Sequence, residues 1–351
     1  MKKSLLALAV LGAFAGVAHA QSAVVIYGSL DAGLIKETDT TLKIGKRSSN
    51  TLGFKGTEEL GNGLKAIFQL EMRYEPDTGT NEMAGTNQRP LFQGQSRVGL
   101  QGDFGTVRIG RGLTSFQEST TAFDVFHGVP GTQGFLTDLQ TGGDTYSSDA
   151  LGLPGNSRNR FSNAVFYNSP EVAGFQLNAS MASKEANGAA AIVGRGTIAA
   201  PQYAAGAQAS VNPYSVSATY KNGPAALMVA AERNAIETQL YSIAGSVMVT
   251  PVLKLMATAT HQDREHTMAN QWTSRSWVVG ANYTAGAGKV MAGYGQKVEG
   301  ILNNGERKTK QFSVGYEYSL SKRTYIYTDA SRKDNSLTKK NIFALGVNHS
   351  F

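Results

Sequence analysis

The sequence contains no cysteine. This absence excludes a disulfide framework, a thiol nucleophile and a cysteine-ligated metal site. Lys and Arg exceed Asp and Glu by a formal net charge of +7, but they are scattered, and the basic blocks of a nucleic-acid-binding arm are missing. No stretch after the N-terminal region approaches the roughly 18 uninterrupted apolar residues of a transmembrane helix. The exported chain is therefore expected to be either soluble or a membrane β-barrel.

The N-terminus has the three parts of a secretory signal. Lys2 and Lys3 are basic, residues 5–17 are apolar, and Ala18-His19-Ala20 has the small-x-small cleavage pattern. The apolar run is too short for a membrane anchor. We therefore expect residues 1–20 to be a signal peptide and residues 21–351 to form one domain.

What the chain does have, throughout, is alternation of apolar and polar residues. In residues 63–75, Leu64, Phe68 and Leu70 alternate with polar or charged neighbours, and Ile67 alone breaks the pattern. Successive strand side chains point to opposite faces, so such a strand has one oily and one wet face. Because the pattern recurs to the end of the chain, it favours a barrel in lipid around a water-filled lumen.

The connections between these strands also alternate, between long polar loops and short turns. Short turns rich in Gly, Asn, Pro or Ser are expected near residues 61–63, 102–105, 169–174, 221–224, 250–251, 285–288 and 320–322. Long loops on one rim and tight turns on the other are typical of outer-membrane barrels. The pattern predicts an all-β, antiparallel up-and-down barrel of about sixteen strands, whose first and last strands pair to leave no open edge.

With these features, the chain resembles the trimeric general-diffusion porins of Gram-negative outer membranes, in particular the betaproteobacterial porin family. The matching segments are residues 25–33, 53–61, 64–71, 98–100, 104–111 and 169–175, and the terminal Phe351. The resemblance implies a sixteen-stranded homotrimer in outer-membrane lipid and lipopolysaccharide, with its long third loop folded into the lumen. It also implies that Phe351 is an assembly signal read by the barrel-assembly machinery, and that no cofactor is needed.

Two positions depart from the family pattern. Where the family often has an arginine before the second-strand Gly-Phe-Lys-Gly, this chain has Thr51 and Leu52. A fourth-strand arginine of the family falls at Gly94, and Arg97 follows three residues later. The ion preference of relatives therefore does not transfer directly.

The third long connection, residues 112–159, is the candidate constriction. Loops of this length are usually functional. Its acidic residues are Glu118, Asp124, Asp138, Asp144 and Asp149, and Arg158 is its single basic residue. Its phenylalanines could anchor it to the inner wall, although an external loop is the alternative.

Strand parity assigns Lys55, Glu71, Arg73, Arg97 and Arg108 to the wet wall opposite this loop, and Arg111 and Arg160 are added because they lie where the loop leaves and rejoins the wall. The expected lumen-wall residues are Lys55, Glu71, Arg73, Arg97, Arg108, Arg111 and Arg160, and the expected acidic partners in the third loop are Glu118 and Asp124. Each arginine alone could be a solvated surface charge. As a set on one parity they favour the lumen, because Arg or Lys facing mid-bilayer lipid costs about 2–4 kcal/mol. A basic wall facing an acidic loop predicts passive diffusion of small hydrophilic solutes and ions with a modest anion preference.

Three other functions compete with this interpretation. An outer-membrane enzyme lacks support, because His261 and His266 do not have the spacing or carboxylate company of a zinc site and no Gly-x-Ser-x-Gly elbow occurs. A soluble binding protein would have to bury the oily faces in a dry core. A substrate-selective porin for a class of small organic anion is the stronger rival and differs only in lumen detail.

Overall fold

The computed structural model of the chain describes most of the sequence after residue 22. The described residues are 23–84, 87–129, 133–141, 146, 148, 159–183, 192–197, 200–203, 211–234, 238–264, 272–301 and 305–351. The expected signal peptide, Asp144, Asp149, Arg158 and His266 lie outside them.

Sixteen antiparallel strands form the wall of a closed barrel. We number them β1 (Ala23–Glu37), β2 (Asn50–Gly61), β3 (Leu64–Tyr74), β4 (Gln95–Gly102), β5 (Gly105–Leu113), β6 (Arg160–Asn168), β7 (Phe175–Ala182), β8 (Tyr214–Asn222), β9 (Ala225–Arg233), β10 (Gln239–Thr250), β11 (Leu253–Arg264), β12 (Trp272–Ala285), β13 (Gly288–Ile301), β14 (Gly305–Ser319), β15 (Thr324–Asp334) and β16 (Lys339–Ser350). Each strand pairs with the next along the chain, so the predicted up-and-down barrel is confirmed.

The barrel closes where β1 meets β16. Their register runs from Ser29 opposite Ser350 to Glu37 opposite Ile342. Beyond the end of β16, Gly28 and Phe351 exchange two backbone N–H···O bonds of 3.1 Å. No edge is left at this junction, as expected from the aggregation hazard of open strand edges.

One predicted loop is partly strand. The polar composition of residues 36–48 predicts a loop, but β1 continues to Glu37, and the short strand Lys43–Gly45 pairs with Gly33–Ile35 of β1. Between that strand and β2, the chain bulges, and side chains of Asp31 and Asn50 replace ladder partners. Asp31 Oδ1 accepts the backbone N–H of Arg47 at 2.8 Å, and the Asn50 amide bonds both backbone groups of Asp31. Such bulges re-aim side chains, and here the result is a buried Arg47.

The two faces of the barrel differ as the alternation predicts. Large apolar residues such as Val98, Ile109 and Leu177 are exposed on the outer face. Ser215, Ser217 and Ser313 are buried on the inner face. Tyr283 and Tyr318, near strand ends, are exposed outward, where an aromatic ring with a polar tip suits an apolar–water boundary.

The third long connection folds inward, as expected. It contains helix α1 (Ser115–Thr121) and a π-helical turn, Leu136–Gln140. One apolar cluster joins its Phe116, Phe123 and Tyr146 to residues of β9 and β10. A second cluster joins further apolar residues of the loop to β11–β13, and comprises Val125, Phe126, Val129, Phe135, Leu139, Met256, Val278 and Met291. In the described part of the chain, neither helical segment has the length and hydropathy to cross a membrane.

Candidate channel constriction

Helix α1 is fixed to the inner wall along one side. Thr114 caps it, accepting the Gln117 N–H at 3.2 Å, as an N-cap hydroxyl does. Phe116 donates its backbone N–H to Ser215 Oγ at 2.8 Å, and the hydroxyls of Ser119 and Ser217 lie 2.7 Å apart. These bonds to β8 hold the helix against the wall, so that Glu118 projects from a fixed base.

Glu118 reaches the basic strands β4 and β5. Its Oε1 lies 3.3 Å from Arg97 Nη1 and 3.8 Å from Arg108 Nη1. Arg97 also donates to Gln69 Oε1, at 3.1 Å from Nε and 2.9 Å from Nη2, and Arg108 donates to Asn168. The hydrogen bonds that Arg97 donates to Gln69 and Arg108 donates to Asn168 keep both guanidinium groups extended along the wall. Because Glu118 is one carboxylate facing two arginines, it neutralises only part of their positive charge.

A cavity of about 580 Å³ opens between the helix and this wall. Among the residues that the structure describes, its charged lining consists of Lys55, Arg97 and Arg108 as cations and Glu118 as the single carboxylate. Uncharged polar side chains complete much of the remainder, including Gln69, Gln101, Thr106, Asn168 and Gln176. The cavity therefore has an excess of positive charge and many hydrogen-bonding groups.

Lys55 and Glu71 are linked through Tyr27. The Lys55 Nζ lies 5.2 Å from the centre of the Tyr27 ring, within the range of a cation–π contact. The Tyr27 hydroxyl donates to Glu71 Oε2 at 3.1 Å and accepts from Gln69 Nε2 at 2.7 Å. Glu71 is thus held beside the cavity through this chain of contacts, without lining it.

The other predicted arginines form a second basic group, around the end of β3 and the start of β6. Arg73 Nε lies 4.0 Å from Glu71 Oε1. Arg111 donates from Nε to the Gln93 carbonyl at 2.9 Å and from Nη1 to Ser162 Oγ at 2.5 Å. Arg160 is almost completely buried and donates from Nε to the Gly94 carbonyl at 2.7 Å. This group braces the wall beside the loop, and its members are absent from the lining of the described cavity.

Gly94, where the family pattern has an arginine, has no room for a side chain. A Cβ built there would lie 2.5 Å from Glu71 Oε1 and 2.8 Å from the Glu71 carbonyl oxygen. Arg97, three residues on, reaches the cavity.

Asp124 differs from what we expected of it. It is fully buried and accepts the Gly128 N–H at 2.7 Å, so it holds a turn of the loop and does not face the basic wall. Burial raises the pKa of Asp124 to about 6, against the lowering effect of backbone N–H groups, with Gly128 first. Of the two predicted acidic partners, only Glu118 meets the wall arginines.

A charged anchor that sequence reasoning missed lies on the opposite side of the loop. Asp138 in the π-helical turn bonds Lys297 Nζ at 2.9 Å and also pairs with Lys333. Burial alone would raise the pKa of Asp138, but the two lysines lower it to about 2. Lys297 and Lys333 occupy inward positions of β13 and β15, which is the sequence signal that marks them as lumen residues. Strand parity alone does not indicate which of the inward charges pairs with a loop residue.

Arg47 was missed as well. Its Nη2 lies 2.7 Å from Glu317 Oε1, its Nε lies 2.9 Å from Asp329 Oδ2, and its guanidinium is 4.7 Å from the Tyr327 ring centre. Burial would lower the pKa of Arg47, but Asp329 and Glu317 hold it above its usual value. The irregular backbone that inserts this side chain has no periodic signature in the sequence.

Comparison with known proteins gives consistent similarities. The family model described as "Gram-negative porin" matches residues 7–338. Outer membrane porin protein 32 of Delftia acidovorans is 32% identical, over 99% of this chain and 95% of the relative. Among solved structures, an anion-selective porin from Comamonas acidovorans has a TM-score of 0.76 at 23% identity, covering 94% of this chain and 100% of that one. The trimer form of OmpT, an outer membrane protein of Vibrio cholerae, has a TM-score of 0.69 at 14% identity, covering 94% of this chain and 99% of that one.

Proposed function

This chain belongs to the Gram-negative porin family and is an outer-membrane porin, and we propose that its channel passes small hydrophilic solutes and ions with a modest preference for anions. The observation that supports the preference is the cavity between α1 and β2–β6, where three cations face one carboxylate. A permeating anion would meet a favourable potential at Lys55, Arg97 and Arg108, because a low-dielectric wall focuses the field of fixed charges.

Each lumen residue has a distinct part in this proposal. Arg97 and Arg108 set the anion potential where Glu118 of the loop approaches the wall, and Lys55 extends it along the cavity. Glu118 opposes them and keeps the preference modest. Arg73, Arg111 and Arg160 support the wall together with Glu71, and the three arginines add to the positive potential at longer range.

The decisive experiment compares two doubly substituted channels in planar bilayers. We expect Arg97→Gln with Arg108→Gln to lower the anion-to-cation permeability ratio, measured from the reversal potential in a salt gradient. A unit charge passed at 4 Å is worth about 1 kcal/mol even at the dielectric constant of water, which is about fivefold per arginine.

Lys308→Gln with Lys339→Gln is the matched control. It removes the same charge at two exposed lysines outside the cavity, and should leave the ratio near the wild-type value. If both double variants shift the ratio equally, net charge and not the cavity determines selectivity. A wild-type channel that prefers cations contradicts the proposal outright.

Selectivity for a class of small organic anion is a second candidate, favoured by the polar lining. Gln69, Gln101, Asn168 and Gln176 offer amide donors and acceptors beside the three cations, which chloride does not need but a hydroxylated carboxylate could use. Concentration-dependent block of the chloride current by one such class, and not by inorganic anions of equal charge, would favour this function.

A homotrimer is the proposed assembly, supported by family membership and by the trimer form of the Vibrio cholerae structure. Cross-linking of the protein in its native membrane, followed by electrophoresis, tests it directly. Cleavage after residue 20, contact with lipopolysaccharide and recognition of Phe351 by the assembly machinery stay predictions from the sequence.

A further inference from the structure

Four glycines lie together on the inner face of three adjacent strands. Gly280 is on β12, Gly293 and Gly295 are on β13, and Gly315 is on β14. Gly280 and Gly293 stand directly opposite each other in the strand register. Because the strands lie side by side, the four positions form a patch of bare backbone, which we call the glycine floor.

The third loop rests on the glycine floor through its apolar side chains. Val125 contacts Gly280, and Phe135 contacts Gly293. Leu139 and Phe126 contact Gly295 and Gly315, respectively. All four loop residues are nearly or completely buried, so the floor is the surface against which this part of the loop packs.

Glycine at such positions has a cost for the sheet and an effect on packing. In a strand interior it weakens the sheet, by roughly 0.5–1 kcal/mol relative to alanine, and it often marks close approach of another segment. The approach is close here. A Cβ on Gly293 would lie 2.6 Å from Phe135 Cε2 and 3.0 Å from Phe135 Cζ, and a Cβ on Gly295 would lie 2.5 Å from Leu139 Cδ2.

These distances say how far the loop would have to move. Carbon atoms pack at about 3.5–4.0 Å, so the Phe135 ring would have to retreat about 1 Å from a methyl group at position 293. The wall lies behind the methyl group, and the free lumen lies on the other side of the loop. The retreat would therefore take the loop toward the wall formed by β2–β6.

We propose that the glycine floor sets how deeply the third loop is seated, and thereby the cross-section and size cutoff of the channel. Gly280, Gly293, Gly295 and Gly315 are positioning residues, since they act through the loop and do not touch the solute. This role is separate from ion preference, which depends on the charges of the opposite wall.

Gly293→Ala is the cleanest test, because the ring of Phe135 supplies both nearest atoms and the nearest backbone atom is 3.4 Å away. We expect this variant to lower the single-channel conductance, with a larger fractional loss for a bulky organic anion than for chloride. The anion-to-cation permeability ratio should change little. Gly300→Ala is the matched control on the same strand, because a Cβ there meets nothing nearer than 3.7 Å, and it should conduct like the wild type.

A second substitution separates loop seating from a folding defect. Phe135→Leu removes ring atoms that meet the new methyl group, so it should restore much of the conductance to Gly293→Ala, and should raise the conductance slightly in the wild-type background. Should Gly293→Ala fail to assemble, the Phe135→Leu single variant still decides the matter. Unchanged or increased conductance in folded Gly293→Ala, or unchanged conductance in Phe135→Leu, would overturn the proposal.

Discussion

The inner wall of the barrel has two contrasting parts. The bare arc, β2–β6, presents charged and amide side chains to the cavity, and meets the third loop through the Glu118 contacts. The covered arc, β9–β14, presents glycines, small polar residues and apolar residues such as Met256 and Met291, and the loop packs directly on it. Both arcs belong to one continuous sheet with the same antiparallel pairing.

The difference shows that the same alternating strand pattern can either line a solvent-filled cavity or pack against another part of the chain. On the bare arc, inward side chains are long and charged because they face solvent and solute. On the covered arc, many inward side chains are short or apolar because they face another part of the chain, which behaves as a core. Lys297 on β13 is a charged exception, because it pairs with Asp138 of the loop. We therefore propose that selectivity by charge and selectivity by size depend on opposite sides of one lumen.

The largest effect should come from making the covered arc unable to hold the loop. Phe126 is buried, with its ring centre 6.1 Å from that of Phe135, and a Cβ at Gly315 would contact both Phe126 and Asp329. Phe126→Asp removes packing worth about 3–5 kcal/mol and places a second carboxylate near Asp329. We expect an unseated loop, seen as higher and noisier single-channel conductance.

The control for this variant keeps the apolar character. Phe126→Leu should lose part of the packing and retain quiet channels, because it buries no charge. If a folded Phe126→Asp channel has the same conductance as the wild type, with no added noise, the loop is held in place without its packing on the covered arc. That result would contradict the proposed difference between the two arcs.

Much of this architecture could be predicted from the sequence, because it depends on a repeated local rule. Alternation in residues such as Leu64, Phe68 and Leu70, together with short turns at Gly102–Gly105 and elsewhere, predicts the barrel and its closure. The length and phenylalanines of residues 112–159 predict the inward fold. Inward parity also selected Lys55, Arg97 and Arg108, which do line the cavity.

What could not be predicted depends on contacts between distant parts of the chain. Arg160 was expected on the lumen wall from its position where the loop rejoins the barrel, yet it is buried against Gly94, while Arg97 meets the cavity. Asp124 and Glu118 are both acidic residues of the loop, and the sequence does not distinguish them. The course of the backbone directs Asp124 into the loop, where it accepts from Gly128, and directs Glu118 toward the wall arginines. The sequence does contain one usable signal for the covered part of the wall. Apolar residues at inward strand positions, such as Met256, Val278 and Met291, indicate where the loop packs against the wall.

A moderate effect should follow from removing the carboxylate that faces the two arginines of the bare arc. Glu118→Gln removes the carboxylate between Arg97 and Arg108 and leaves the guanidinium groups in place. We expect the anion-to-cation permeability ratio to rise by about fivefold, since one charge at close range is worth about 1 kcal/mol. Glu306→Gln removes the same charge at an exposed site outside the cavity and should leave the reversal potential unchanged. A fall in the ratio would mean that Glu118 favours anion passage by orienting the arginines, which is the reverse of the role proposed for it.

The smallest effect at neutral pH should come from the charged anchor on the far side of the loop. Because lysine pairing lowers the pKa of Asp138 from 3.8 to about 2, the carboxylate contributes stability above pH 3.8 that is lost as the pH falls through 2. Lys297→Gln leaves only Lys333 as a pairing cation, so the folded-state pKa should rise by up to about one unit, or about 1.4 kcal/mol. Channel noise on acidification should then begin at a higher pH than in the wild type, while the two channels behave alike at pH 7. Lys308→Gln, an exposed lysine on β14, should leave the onset where it is. An onset that is identical in all three proteins would assign the seating of the loop to its apolar contacts alone, and Asp138 would be a passive charge on the covered side.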